Sequence, residues 1–351
     1  MNKTDPVALY RKYRPQNFSD VIGQDQVVKV LEGSIKLSNI SHAYLFAGSR
    51  GTGKTSVARI FAKDIGCSQT DLYEIDAASN RGIDDVRAIR ESVLSLPFES
   101  PYKVYIIDEA HMLTKEAWNA FLKTLEEPPR HAIFILATTE IEKVPETVFS
   151  RCQVFSFKRP GQKVLKELAL SIAKKEGFTL EPSSAELIAV LSEGSFRDAQ
   201  GILQKVLSFG RSKKIDPEEV EIVTGAPRGK LVNGFIEAIA ERKIDKALGT
   251  VARAKNENID IKVFLKLVLQ KLRAVLLLRY AGEMEKEFAE DFSDEDLEFL
   301  KKVAAKGTDA ISSATLAEFL SAHDMVSRTA IPELPVELAL VKLLVNNNSQ
   351  S

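Results

Sequence analysis

Cysteine is scarce: Cys67 and Cys152 are the only two in 351 residues. Two thiols cannot build a disulfide framework, so free thiols in a reducing compartment are expected. Net charge of one sign is missing too, since 48 Lys and Arg face 49 Asp and Glu for a formal net charge of −1. No global basic field advertises nucleic acid, and any such contact must come from a local patch. The opening residues, MNKTDPVALYRKYRP, contain no apolar run, so no signal peptide is expected. The most apolar stretch, 263–278, is interrupted by Lys266, Gln270, Lys271 and Arg273. It reads as an amphipathic or buried helix and not as a membrane span. These absences together predict a cytoplasmic protein without a membrane partner.

What is present is ordinary for a globular chain, with 44 % apolar and 28 % charged residues. The length predicts two or three domains. Over the first 159 residues, strand-like and helix-like segments alternate, which predicts an α/β domain with a parallel sheet. Strands are expected over 42–47, 72–75, 103–107, 132–137 and 153–157, and helices over 54–65, 84–96 and 115–125. The composition changes at Pro160. A short-helix segment is expected from 160 to 227, with Gly177, Gly194 and Gly225 as stops and Pro182 as a helix start. From 228 to 345 apolar residues recur at helical spacing, over 231–240, 244–254, 261–280, 294–305 and 313–328. The polar residues 346–351 read as a disordered tail.

Three segments carry chemistry. Gly48-Ser49-Arg50-Gly51-Thr52-Gly53-Lys54-Thr55 fits G-x-x-x-x-G-K-[ST], follows an apolar strand and opens a helix. Its glycines let backbone N–H groups curl around phosphate oxygens, and the helix start adds a positive dipole end. Lys54 is placed to neutralise the β- and γ-phosphates of ATP, and the Thr55 hydroxyl to coordinate Mg²⁺. The second segment, 104–111, is a hydrophobic strand ending in Asp108 and Glu109. Asp108 would hold Mg²⁺ through water, and Glu109 would orient or deprotonate an attacking water. Alone, these acids would read as a helix N-cap. The P-loop upstream in the same βαβ arrangement favours the chemical reading, because ligands gather at the carboxyl ends of parallel strands. The third segment, Ala137-Thr138-Thr139-Glu140, ends the next buried strand with polar groups that are unremarkable by themselves. Arg151 and Arg197, taken singly, would be surface charges.

Tyr10-Arg11-Lys12-Tyr13-Arg14-Pro15, 18–24, the P-loop, 74–79, 108–113, 122–129 and Ser150-Arg151-Cys152 form an ordered set of motifs. That set resembles the clamp-loader AAA+ family, and within it the gamma/tau branch of bacterial DNA polymerase III. The resemblance covers nearly the whole chain. It implies an AAA+ ATPase domain over 1–159, a helical lid over 160–227 and a helical collar for oligomerisation over 228–345. It also implies that Thr139 is the sensor-1 residue, Arg197 the sensor-2 arginine and Arg151 an arginine finger acting in trans. Tyr10, Arg14, Pro15, Val21 and Ile22 would pack around the adenine. The implied function is an ATP-driven loader that opens a sliding clamp and loads it on primer–template DNA. Such a chain is an ATPase with no polymerase active site of its own. The implied partners are the delta and delta-prime subunits, further gamma/tau copies, the beta clamp and DNA.

Two departures from the family matter. Cys67 matches the first ligand of the family's four-cysteine zinc module, but no C-x-x-C follows it. One thiol cannot build a tetrahedral Zn²⁺ site, so zinc is not expected. The chain also stops after the collar, so either a gamma-length protein without the tau-specific region or a chain cut at that point is expected. For DNA, Asn80, Arg81 and Arg87 flank a helix start near Gly82 that could face a phosphate. A solvated helix start is an equal reading, given Asp84 and Asp85. Leu96 and Phe98 follow that helix and could touch the clamp if exposed, though for each residue alone core packing is the plainer reading. Two rivals remain: a non-hydrolysing scaffold like delta-prime, which should have a degraded P-loop, and a Holliday-junction branch-migration motor, which should end in a basic winged helix.

Overall fold

A computed structural model of the chain describes residues 7–210, 212–284, 292 and 294–345. The predicted tail, 346–351, lies outside them. The chain divides into two units, one of residues 1–164 and 194–201, the other of 165–193 and 202–351.

The first unit is built on a five-stranded sheet in the order β2-β3-β4-β1-β5. The strands are β1 Ala43–Ala47, β2 Leu72–Asp76, β3 Lys103–Asp108, β4 Ala132–Thr138 and β5 Gln153–Ser156. All pairs are parallel, with Ala47 opposite Thr138 and Ile107 opposite Leu136. A parallel sheet is covered on both faces, which is why the central strands are apolar throughout and do not alternate with polar residues. Side chains still alternate between faces with period two. Leu45, Tyr105, Ile107 and Leu136 enter one cluster, while Tyr44, Phe46, Ile106 and Ile135 enter the other.

The helices of this unit are α1 Leu9–Lys12, α2 Asp25–Lys36, α3 Lys54–Asp64, α4 Ile83–Val93, α5 Lys115–Glu126 and α6 Glu146–Phe149. Val86, Ile89 and Val93 of α4 and Trp118, Phe121 and Leu125 of α5 are spaced i, i+3, i+7 and share the first cluster. Val57, Ala58 and Phe61 of α3 fill the second with Val27 and Leu31 of α2. Phe121 is wholly buried, edge-on to Phe134 at 5.1 Å between ring centroids. Burying a side chain of this size contributes about 2–3 kcal/mol.

The remaining helices are α7 Gln162–Lys175, α8 Pro182–Leu191, α9 Phe196–Phe209, α10 Pro217–Thr224, α11 Gly229–Ala240, α12 Ile244–Asn256, α13 Ile261–Tyr280, α14 Asp294–Ala305, α15 Ser313–Val326 and α16 Leu334–Leu344. α9 begins in the first unit and ends in the second. A short parallel pair, β6 Thr179–Leu180 and β7 Lys214–Ile215, joins the ends of α7 and α9. The core of the second unit centres on Phe235, with Phe264 at 5.1 Å and Phe319 at 5.7 Å, both edge-on. Among the described residues no helix is long and apolar enough to cross a membrane.

Candidate functional site

Strand order decides where the chemistry gathers. β4 lies between β1 and β3, so three strand exits stand side by side. The exit of β1 is the glycine loop 48–53, the tip of β3 is Asp108, and β4 runs out at Thr138 and Thr139. The loop must turn sharply into α3, and Gly53 caps that helix in the left-handed region. At Gly48, φ is +153° and an added Cβ would lie 2.5 Å from the Phe157 carbonyl oxygen. The loop therefore passes against the backbone following β5 with no room for a side chain.

Lys54 is buried at the start of α3, and its Nζ donates to the Gly48 and Ser49 carbonyls at 2.6 and 2.9 Å. Burial lowers the ammonium's pKa, and Glu109 and Asp108 pull it back up. Thr55 Oγ1 donates to Asp108 Oδ2 at 2.8 Å, and the Glu109 amide donates to Asp108 Oδ1 at 3.0 Å. Thr139 Oγ1 donates to Glu109 Oε2 at 2.9 Å. Glu109 itself has φ 49° and ψ 44°, the left-handed region, which costs a non-glycine residue about 1 kcal/mol. Lys54, Thr55, Asp108, Glu109 and Thr139 thus form one constellation. Thr52 closes the loop on itself through Ser49 O at 2.9 Å, and Arg50 points to solvent.

The N-terminal segment meets α3, the helix that this loop opens. Arg14 Nε donates to Ser56 Oγ at 3.1 Å, and its guanidinium pKa is lowered by burial and then by Arg59. The Arg197 guanidinium lies 4.8 Å from the Tyr10 ring centroid, and its hydrogen bond lowers the phenol's pKa. Residues 194–201 belong to this unit, and the Phe196 amide donates to Gly51 O at 2.9 Å. Pro15 is half-buried, Val21 packs against the α2–α3 cluster, and Ile22 is exposed.

Arg151 stands outside the constellation. Its NH2 meets Glu126 Oε1 at 2.6 Å, and its NH1 donates to Thr147 O at 2.7 Å. Asn80 donates to Asp76 O, Arg81 is exposed, and Arg87 pairs with Asp84 at 2.9 Å. Asp85 accepts the Gly82 amide at 3.0 Å, so one of the N–H groups at the start of α4 is already satisfied. Leu96 and Phe98 are 78 % and 83 % exposed. Core packing is therefore not their role, because the 94–100 loop runs along the surface.

Three groups escaped sequence reasoning. Gln24, nearly inaccessible, donates to Lys158 O at 2.7 Å and to Thr52 O at 3.4 Å, and accepts from the Lys158 amide at 3.1 Å. It staples the glycine loop to the segment after β5. Arg159 Nε donates to Ser49 Oγ at 2.7 Å. His111 contacts both Glu109 and Glu140. A sequence signal existed for His111, which stands in the Asp108–His111 motif, and for Gln24, which ends the 18–24 motif, but neither signal named a partner. Gln24 and Arg159 meet partners 134 and 110 residues away.

Cys67 Sγ lies against Ser68 O at 3.4 Å, and burial pushes the Cys152 thiol up to about 12. For a divalent cation, the Thr55 hydroxyl and Asp108 carboxylate offer adjacent hard oxygen donors. That chemistry suits Mg²⁺, which keeps several waters and takes few protein ligands.

Residues 23–80 and 68–161 match the family described as DNA polymerase III, delta subunit. The chain is 37 % identical over 362 residues to DNA polymerase III subunit tau of Bacillus subtilis, covering 96 % of this chain and 63 % of that protein. It is 38 % identical over 278 residues to subunit gamma/tau of Mycoplasma pneumoniae, covering 74 % and 41 %. It is 34 % identical over 292 residues to subunit tau of Escherichia coli, covering 77 % and 45 %. The chain thus spans less than two thirds of the length of each of these relatives. Among solved structures, the Thermotoga maritima RuvB Holliday junction branch migration motor aligns with a TM-score of 0.52 at 25 % identity, over 65 % of this chain and 80 % of that one. The fold is that of AAA+ proteins, and over nearly its whole length the chain is similar to DNA polymerase III gamma/tau subunits.

Proposed function

We propose that this chain is the ATP-hydrolysing subunit of a clamp loader. The observation that carries the reading is the meeting of Lys54, Thr55, Asp108, Glu109 and Thr139 at three adjacent strand exits, with Thr55 and Asp108 joined at 2.8 Å. In this reading the 48–55 loop amides and Lys54 hold the triphosphate of ATP. Thr55 and Asp108 hold Mg²⁺, which when bound neutralises charge developing on the phosphates. Glu109 orients and deprotonates the attacking water, and Thr139 orients Glu109. Tyr10, Arg14, Pro15, Val21 and Ile22 bind the adenine side, and Arg197 reaches the γ-phosphate.

Arg151 completes the site of a neighbouring subunit, where it stabilises transition-state charge. Its pairing with Glu126 outside its own chain's constellation supports that role. Residues 1–159 would be the ATPase domain, 160–227 the lid and 228–345 the collar that assembles with delta, delta-prime and further copies of this chain. Exposed Leu96 and Phe98 suit a clamp-facing surface, and Asn80, Arg81 and Arg87 a track for primer–template phosphates. The place of action would be the cytoplasm. The rival reading as a branch-migration motor is disfavoured by the helical elements over 229–344, and the scaffold reading by the intact P-loop.

The test is a titration with fluorescent Mg·ATP and a turnover assay, comparing wild type with Lys54→Ala. Loss of about a hundredfold in affinity is expected, since a buried cation facing the phosphates is removed. Equal binding and equal turnover in both proteins would end the ATPase reading.

A further inference from the structure

His111 is 94 % buried by its side chain's 6 % exposure, yet an acid lies against each ring nitrogen. Nε2 meets Glu140 Oε1 at 3.1 Å, and the other Glu140 oxygen meets Lys143 Nζ at 2.7 Å. Nδ1 lies 3.1 Å from Thr138 Oγ1 and 3.4 Å from Glu109 Oε2. The Glu140 amide donates to Thr138 Oγ1 at 3.1 Å, which leaves the Thr138 hydroxyl proton free to be donated to Nδ1. The network therefore assigns the Nε2–H tautomer, with Glu140 as acceptor and Thr138 as donor. Lys143 fixes Glu140, Glu140 fixes the ring, and the ring sets one wall beside Glu109. The hydrogen bond to that same carboxylate oxygen comes from the Thr139 hydroxyl at 2.9 Å, while the ring limits it by contact alone.

We propose that His111 is a positioning residue for Glu109, held in one tautomer and one orientation by Glu140 and, behind it, Lys143. The proposal rests on the ATPase reading above. A carboxylate on a left-handed backbone has an unusual direction of approach, and its side chain must be fixed by neighbours. The ring does this by filling a nearly inaccessible slot, with Thr138 at one nitrogen and Glu140 at the other. Groups that orient a catalytic side chain this way act on turnover and leave substrate affinity alone. Neither ring nitrogen touches the glycine loop, so nucleotide binding stays outside the ring's reach.

The experiment has two arms. In the first, His111→Phe keeps the ring volume and removes both nitrogens. The expected result is a kcat about tenfold lower or less, with KM for ATP and nucleotide affinity within about twofold of wild type. His111→Gln, whose amide can still donate to Glu140, recovers part of that loss. An unchanged kcat in His111→Phe overturns the proposal, and so does a kcat loss matched by equal losses in nucleotide affinity and thermal stability. In the second arm, ¹⁵N NMR of histidine-labelled, nucleotide-free protein reads the tautomer. The signal absent in His111→Phe identifies the residue among the 4 histidines. It shows Nε2–H in wild type and a tautomer mixture in Glu140→Leu. An Nδ1–H ring in wild type overturns the proposal. A wild-type chain that neither binds nor hydrolyses ATP overturns the ATPase reading and this role together. The NMR signature separates that failure from a misassigned ring.

Discussion

Arg151 and Glu126 form an ion pair within one chain, NH2 to Oε1 at 2.6 Å, with side chains 31 % and 48 % exposed. A pair this exposed is worth about 0–1 kcal/mol, so breaking it to reach a neighbouring subunit costs little. In the proposed trans role, Glu126 would hold the guanidinium without trapping it. Arg151→Ala should lower DNA-stimulated turnover of the assembled complex about a thousandfold. Nucleotide affinity of the isolated chain and its unfolding free energy should barely change. Phosphate release by the assembled complex measures the first, and turnover near the wild-type rate would remove Arg151 from the trans role.

Asp71 carries the loop that exposes Leu96 and Phe98. Its carboxylate accepts from the Phe98, Glu99 and Ser100 amides at 2.6, 3.0 and 3.0 Å and from Ser100 Oγ at 2.5 Å. Burial pushes its pKa up, but the hydrogen bonds from Ser100, Phe98 and Glu99 outweigh it and hold it far below the usual carboxylate range. Asp71→Ala leaves those donors without an acceptor and should cost about 3 kcal/mol at neutral pH. A depressed folded pKa gives stability that is present above the unfolded value of about 4 and lost as pH falls below it. The gap between wild type and variant should therefore shrink in acid. Trp118, the only tryptophan, lies in the same unit, so its fluorescence in urea reports this unfolding. A gap that stays constant with pH would refute the carboxylate's role.

Much of this fold could be read from the sequence because its signals are local. The helices over 261–280 and 294–305 were expected with the bounds found, and each of the five strands differs from expectation by one residue. α16, Leu334–Leu344, was given no span of its own within the helical 228–345 region; its Pro335 stands in the first turn, where a missing N–H costs nothing. β6 and β7 are two residues each, too short for any period-two signal, and pair across 35 residues. The P-loop and Asp108 announce themselves because their chemistry fixes their spacing. Gln24, Arg159 and the Thr139–Glu109 bond do not, because their partners are set by how strands line up in space. The exposure of Leu96 and Phe98 was equally hidden: an apolar residue carries no mark of which side it faces.

Gly51 and Gly23 share a φ of +72°, yet only Gly51 is crowded, since an added Cβ would run into Ser195 Oγ while Gly23 has open space around it. Alanine at either site pays the left-handed strain, about 1–2 kcal/mol. Gly51→Ala should lose at least about 1 kcal/mol more, because overpacking adds to strain. Both residues lie in the first unit, so urea melts followed by Trp118 compare them directly. Equal losses in the two variants would show that residue 195 yields freely. A larger loss for Gly51→Ala, relieved in part by adding Ser195→Ala, would confirm that the contact limits the glycine loop.

In the second unit, Glu186 and Glu221 line a cavity of about 410 Å³ together with Lys271. Burial pushes the pKa of each up to about 7, opposed at Glu186 by Lys166 at 3.4 Å and at Glu221 by the Gly229 amide. A raised folded pKa means that the folded state holds the proton more tightly than the unfolded one. Stability from these groups is then complete below the unfolded value of about 4.3 and lost as pH climbs through about 7. This slope has the opposite sign to that of Asp71, and it belongs to the unit without tryptophan. Hydrogen exchange across α8 should therefore quicken between about pH 5 and about pH 8, after correction for the intrinsic rate. Glu186→Gln with Glu221→Gln supplies neutral amides of the same shape, so the double variant should exchange more slowly than wild type at the alkaline end and match it at the acid end. An identical pH dependence in the two proteins would mean that both carboxyls stay ionised in the fold.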